Sequence, residues 1–132
     1  MDLKKYFKEH KGIGILSTAD LKGHVNAAVY AQPHIIDKDR VAFIMAEKLT
    51  RANVEKNPHA VYLFKEDGPG YKGLRIYLKK QGEFKDERFV KQVCDIAYPG
   101  PYCSVDALKG SYLLSFKIEK VLPLVGDGKK TA

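Results

Sequence analysis

Val41-Ala42-Phe43-Ile44-Met45-Ala46-Glu47-Lys48-Leu49-Thr50-Arg51-Ala52-Asn53-Val54-Glu55-Lys56-Asn57 is the stretch on which the fold turns. Val41 to Ala46 is an unbroken apolar run, and at that length it predicts a strand covered on both faces. Thr50 predicts a helix N-cap, Arg51 to Asn57 a short helix, and Pro58 its end. A buried strand thus runs out into a helix N-terminus, with Lys48 and Arg51 on either side of the cap. Free backbone N–H groups and the positive end of the helix dipole favour an anion there. Two cations and a hydroxyl donor strengthen that preference, so the corner suits a phosphate. A capped helix with solvated basic residues explains the same residues without a ligand.

A length of 132 residues suits one domain with one core. Lys and Arg number 23 against 16 Asp and Glu, a formal net charge of +7, which suits an anionic partner. The basic residues are scattered in short pairs (Lys4-Lys5, Lys79-Lys80, Lys129-Lys130), which argues against a nucleic-acid-binding arm. Cys94 and Cys103 do not fit the usual zinc spacings, so no metal is expected. Two reduced thiols is the expectation for them, with a disulfide as the alternative. The start of the chain is charged and amphipathic, and no apolar run is long enough to span a bilayer. A soluble, cytoplasmic protein without a membrane partner is expected.

Before the central stretch, Asp2 caps a helix with Leu3, Tyr6, Phe7 and His10 on one face, suited to plugging a barrel. Ile13 to Ala19 predicts a strand, Asp20 to Gly23 a hairpin turn, and His24 to Ile36 a long second strand interrupted at Pro33. After it, Ala60 to Phe64 predicts a strand buried on both faces. Gly73 to Phe84 follows with a bulge at Gly82. A helix begins at the Asp86 cap, with Phe89, Val90, Val93, Ile96 and Ala97 as its buried stripe. In the last strand, Tyr112 to Leu122, a dry face (Tyr112, Leu114, Phe116, Ile118) alternates with a wet one (Ser115, Lys117, Glu119). The tail Gly126 to Ala132 is too polar to pack. The sum is a mainly β chain with short helices: six mostly antiparallel strands in a small closed or partly open barrel.

Val25-Asn26-Ala27-Ala28 in the second strand, Lys48-Leu49-Thr50-Arg51-Ala52-Asn53-Val54 with Asn57-Pro58, and Asp67-Gly68-Pro69-Gly70-Tyr71-Lys72-Gly73-Leu74-Arg75 come in an order that resembles the pyridoxamine 5′-phosphate oxidase-like FMN-binding split barrels. The likeness is greatest to the small FMN-binding proteins of that group. It covers roughly residues 10 to 85. It implies a six-stranded antiparallel split β-barrel, 1–132 as a single domain, and a homodimer with FMN at the subunit interface. It implies backbone contacts to the flavin ring from Asn26, Ala27, Ala28, Val29 and Tyr30. Support comes from Phe43, Ile44, Met45 and Ala46, and a phosphate grip from Lys48, Leu49, Thr50 and Arg51 with Asn53 nearby. The vitamin-converting oxidases carry a longer chain and extra basic residues that the resemblance does not place on this sequence, so vitamin oxidase activity is not expected. The activity implied is FMN-dependent oxidation–reduction or electron transfer, with a small molecule or a redox protein as electron partner and no assigned catalytic residue. The alternatives are a deazaflavin- or haem-binding split barrel, an FMN-binding module without turnover, and an OB-like nucleic-acid-binding barrel.

Overall fold

The computed structural model of the chain describes residues 1–46 and 48–127; Glu47 and residues 128–132, the last part of the polar tail, lie outside the described residues. The elements are α1 (Leu3–Glu9), β1 (Gly12–Ala19), β2 (Val25–Val29), β3 (His34–Ile35), β4 (Arg40–Ala46), α2 (Leu49–Lys56), β5 (His59–Glu66), β6 (Gly73–Phe84), α3 (Glu87–Ala97), α4 (Val105–Leu108) and β7 (Ser111–Pro123). All strands join one antiparallel sheet in the order β2-β1-β5-β6-β7-β4-β3. The two edge strands, β2 and β3, are consecutive in the chain and separated only by Tyr30 to Pro33. Five steps of chain span at most about 18 Å, so the sheet must curl until its edges nearly meet. That is a barrel left open along one seam.

The strand expected from His24 to Ile36 is therefore two strands, which makes seven in place of six. Proline has no N–H to give to a ladder and a fixed φ, so the chain leaves β1 before Pro33 and resumes pairing on β4. The bulge expected at Gly82 is present: Lys80 pairs Phe116 and Gly82 pairs Ser115, which leaves Gln81 extra. A second irregularity lies on β7, where Glu119 is extra between Ile118 and Lys120.

The barrel interior is filled by Leu16, Val41, Phe43, Met45, Tyr62, Phe64, Ile76, Leu78, Leu114 and Phe116. Leu3 and Phe7 of α1 belong to the same cluster, so α1 does plug one end. Asp2 caps it as expected, accepting from the Lys5 N–H at 3.1 Å. Beside the Tyr62 side chain the sequence needs Gly14: a Cβ there would sit 1.8 Å from the Tyr62 hydroxyl and 2.7 Å from the Tyr30 carbonyl oxygen. The space is taken by the hydrogen bond that Tyr62 donates to that carbonyl at 3.1 Å.

Outside the barrel, α3 covers β4 and β7, where Val90 and Val93 pack on Ala42 and Leu113. Leu113 and Ser115 are buried by it, so the wet face expected on the last strand is dry in its first half. The buried stripe of α3 is Val90, Val93 and Cys94, whereas Phe89 and Ile96 are exposed. Cys94, which belongs to this stripe, is bonded to Cys103, with Cα atoms 5.8 Å apart. The expectation of two reduced thiols is thus corrected to a disulfide. On β5, Ala60, Tyr62 and Phe64 are buried but Val61 and Leu63 only half-buried, so the two-sided burial expected there holds on one face. Among the described residues no helix is long and apolar enough to cross a membrane.

Candidate functional site

The helix after β4 starts two residues earlier than its Thr50 suggested. Lys48 is the N-cap, with extended backbone, and its carbonyl accepts from the Ala52 N–H at 3.0 Å. Its own N–H reaches the Ala46 carbonyl at 2.9 Å, which turns the chain sharply out of β4. Thr50 lies inside the first turn and is buried. The Lys48 side chain makes no capping hydrogen bond. Lys48 itself is exposed, and as the N-cap it stands at the positive end of α2.

Three segments that the sequence set apart meet at this corner. The Asn26 amide of β2 donates to the Thr50 hydroxyl at 3.4 Å. The Tyr30 ring packs edge-on against Phe43 of β4, centroids 6.0 Å apart. Burial raises the Tyr30 hydroxyl above the usual phenol range, while a hydrogen bond with Thr50 pulls it the other way. Asn53, buried in α2, donates to the Thr18 hydroxyl of β1 at 3.1 Å. Thr50 and Asn53 thereby pin the helix to the two strands beside it.

Not every expected residue reaches an open surface. Phe43 and Met45 point into the core, so only their backbone faces outward. Ile44 lies on the other face, half-buried beside α3. Ala46 and Leu49 are exposed at the turn. Asn26, Ala28 and Tyr30 are half-buried, while Val25, Ala27 and Val29 are exposed. The Tyr30 N–H bonds the Gly14 carbonyl at 3.0 Å. Antiparallel ladders alternate, so Asn26 and Ala28 also turn their backbone groups to β1, and Val25, Ala27 and Val29 turn theirs away from it. Those three form the edge of the described sheet.

Arg51 has a partner that the sequence did not announce. Its guanidinium grips the Glu83 carboxylate through Nε at 3.1 Å and Nη2 at 2.9 Å, and lies 3.8 Å above the Tyr112 ring. Glu83 is 32 positions away on β6, beyond the reach of any local pattern. Lys80 adds a second cation at 3.5 Å. The Arg51 hydrogen bonds first, and the Lys80 and Arg51 charges with them, hold the Glu83 carboxyl below the usual carboxylate range. A depressed folded pKa stabilises the fold above the ordinary value of 4.5 and loses that contribution as pH falls through it. Urea unfolding between pH 6 and pH 3 is expected to show this loss. Glu83→Gln should flatten the profile in that window, and an unchanged slope would count against the pair.

Among the described residues, those at this corner offer hydrogen-bonding and charged binding groups. FMN fits what is present: a helix start whose N-cap is an exposed lysine with no capping bond of its own, a strand edge with outward backbone groups, and the small side chain of Ala27. Arg51 fits less well as a phosphate ligand, since Glu83 already neutralises it.

No family model matches the sequence, and no curated protein matches it significantly. Solved structures do match. An FMN-binding protein from Syntrophomonas wolfei subsp. wolfei superposes with a TM-score of 0.72 at 22% identity, covering 91% of this chain and 82% of its own. An F420 reductase gives 0.70 at 16% identity over 89% and 94% of the two chains. The haem storage protein HutZ from Vibrio cholerae gives 0.70 at 18% identity over 92% of each. The likeness at such identities is one of fold. The chain has the split-barrel fold of the FMN-binding and pyridoxamine 5′-phosphate oxidase-like proteins, as the order of its motifs implied.

Proposed function

We propose that the chain is an FMN-binding flavoprotein of the pyridoxamine 5′-phosphate oxidase-like group, acting as an FMN-dependent oxidoreductase or electron-transfer protein. The observation that carries this reading is the contact between Asn26 and Thr50. It brings a strand edge and a helix start together, as a molecule with a flat ring at one end and a phosphate at the other requires. Lys48 and the first-turn N–H groups of α2 would hold the phosphate. The outward N–H groups of Ala27 and Val29 would face the ring, with Ala27 small enough for close approach. Backbone donors aimed at the ring edge favour negative charge on it, which raises the potential of the couple. FMN, when bound, supplies hydride or single-electron transfer. Arg51 acts from behind, fixing α2 to β6 through Glu83.

The same reading includes a homodimer. Ile13, Val25 and Val29 are exposed on one face, beside the half-buried Ile15, Val61 and Leu63. Register places Ile15 between Val29 and Leu63, so these side chains form one apolar patch. Patches of this kind call for a cover, and a second copy supplies one by two-fold symmetry. The flavin would then sit at the edge of that contact, beside β2.

The absorbance spectrum and mass of the small molecule that copurifies test the cofactor. Flavin bands with the mass of FMN are expected. A haem Soret band or a deazaflavin mass would replace FMN, which the fold likeness to an F420 reductase and to HutZ makes a pointed comparison.

A further inference from the structure

A cavity of about 910 Å³ opens between α1, the segment leading into β3, and the end of α3. None of its lining residues belongs to the corner at the start of α2, so its occupancy is independent of whether that corner holds FMN. We propose that this cavity binds a small organic anion: an apolar, ring-sized body carrying one carboxylate or sulfonate.

The walls argue for the apolar body. Phe7 closes the inner end from α1. Ile96 and Tyr102 line the opposite side yet are 71% and 70% exposed. Large apolar side chains facing water inside one concavity lose that exposure only when something apolar enters. The wall is also held in place. The disulfide between Cys94 and Cys103 closes the loop that carries both residues. The Tyr98 hydroxyl within that loop donates to the Gln32 carbonyl across the cavity. A volume of this order accommodates a drug-sized ligand.

Charge argues for the anion. Lys4 and Lys8 are four residues apart, one turn along α1, and Lys11 follows the helix. Like charges at that spacing repel, so their presence on one rim is a mild cost to the helix. Among the described residues none of the three has an ion-pair partner. Among the described lining residues Asp67 is the one carboxylate, so the three lysines exceed the anions there by two. The Lys4 charge is felt as far as the half-buried His34 ring, where it adds to burial in lowering the pKa. Lysines are point charges without the planar fork of arginine, which suits a single headgroup approached from several directions.

The probe is 8-anilinonaphthalene-1-sulfonate, with uncharged N-phenyl-1-naphthylamine as its neutral counterpart. Both are titrated by fluorescence into the protein as purified. The double variant Lys4→Glu/Lys8→Glu changes two exposed side chains, so circular dichroism should show an intact fold. It is expected to weaken the sulfonate roughly tenfold and the neutral probe less than about twofold. Ile96→Asp should weaken both probes. Equal sulfonate affinity in wild type and the lysine variant would overturn the anion site. Unchanged binding of both probes in Ile96→Asp would place them elsewhere and overturn the cavity. A drop in particle size on sedimentation of Ile96→Asp would overturn it in favour of a contact between copies.

Discussion

Lys48→Ala is expected to weaken FMN roughly ten- to a hundredfold while changing riboflavin by less than about twofold. The two ligands differ only in the phosphate, so the difference isolates the headgroup. Lys48 is exposed and makes no described hydrogen bond from its side chain, so its removal should leave the barrel intact. Arg51→Ala should behave differently. It strips the Glu83 carboxylate of its bidentate partner and uncovers the Tyr112 ring. Breaking a pair of this kind costs about 2–4 kcal/mol where the survivor is partly wet, or about 10 °C of melting temperature for a chain of this size. Both flavins should then lose affinity together, since α2 is no longer fixed to β6. Isothermal titration with each ligand and differential scanning calorimetry separate the two patterns. If Lys48→Ala lowers FMN and riboflavin equally, the phosphate is not at the start of α2.

The contrast between these two cations shows where the sequence was readable. Lys48 and Arg51 look alike as neighbours of a helix start, because local patterns describe residues three or four apart. The partner that commits Arg51 is on another strand, and only the register of β6 on β7 brings it there. The same limit explains α3. Its periodicity suggested a stripe through Phe89 and Ile96, but the buried face carries Val90, Val93 and Cys94, and the partner of Cys94 lies nine residues on, outside the helix. Short-range signals fared better. The Asp2 and Asp86 caps, the turn at Asp20 to Gly23 and the strand from Val41 to Ala46 all stand where local chemistry puts them, although Ile44 is only half-buried and Ala46 is exposed. Pro33 was legible as an interruption. That the chain crosses there from one sheet edge to the other was not, because closure is a property of the whole sheet.

Val29→Glu is expected to leave each barrel folded and to separate the subunits of the proposed dimer. In a single barrel Val29 is 71% exposed, so a glutamate there should change stability by no more than about 0.5 kcal/mol. In the dimer the same position would lie within the apolar patch formed with Ile15 and Leu63. Two-fold symmetry puts the new carboxylate into the contact twice. Desolvating it without a partner costs several kcal/mol, enough to raise the dissociation constant by more than about a hundredfold. Sedimentation velocity at micromolar protein should show the smaller species, with circular dichroism unchanged. Bound flavin should fall in parallel, since the ring would sit between β2 and the second copy. Val29→Ile, which keeps the surface apolar, should retain both size and flavin. A Val29→Glu protein of unaltered size that still carries its flavin would mean that this face meets solvent, and that the ring is held by one barrel alone.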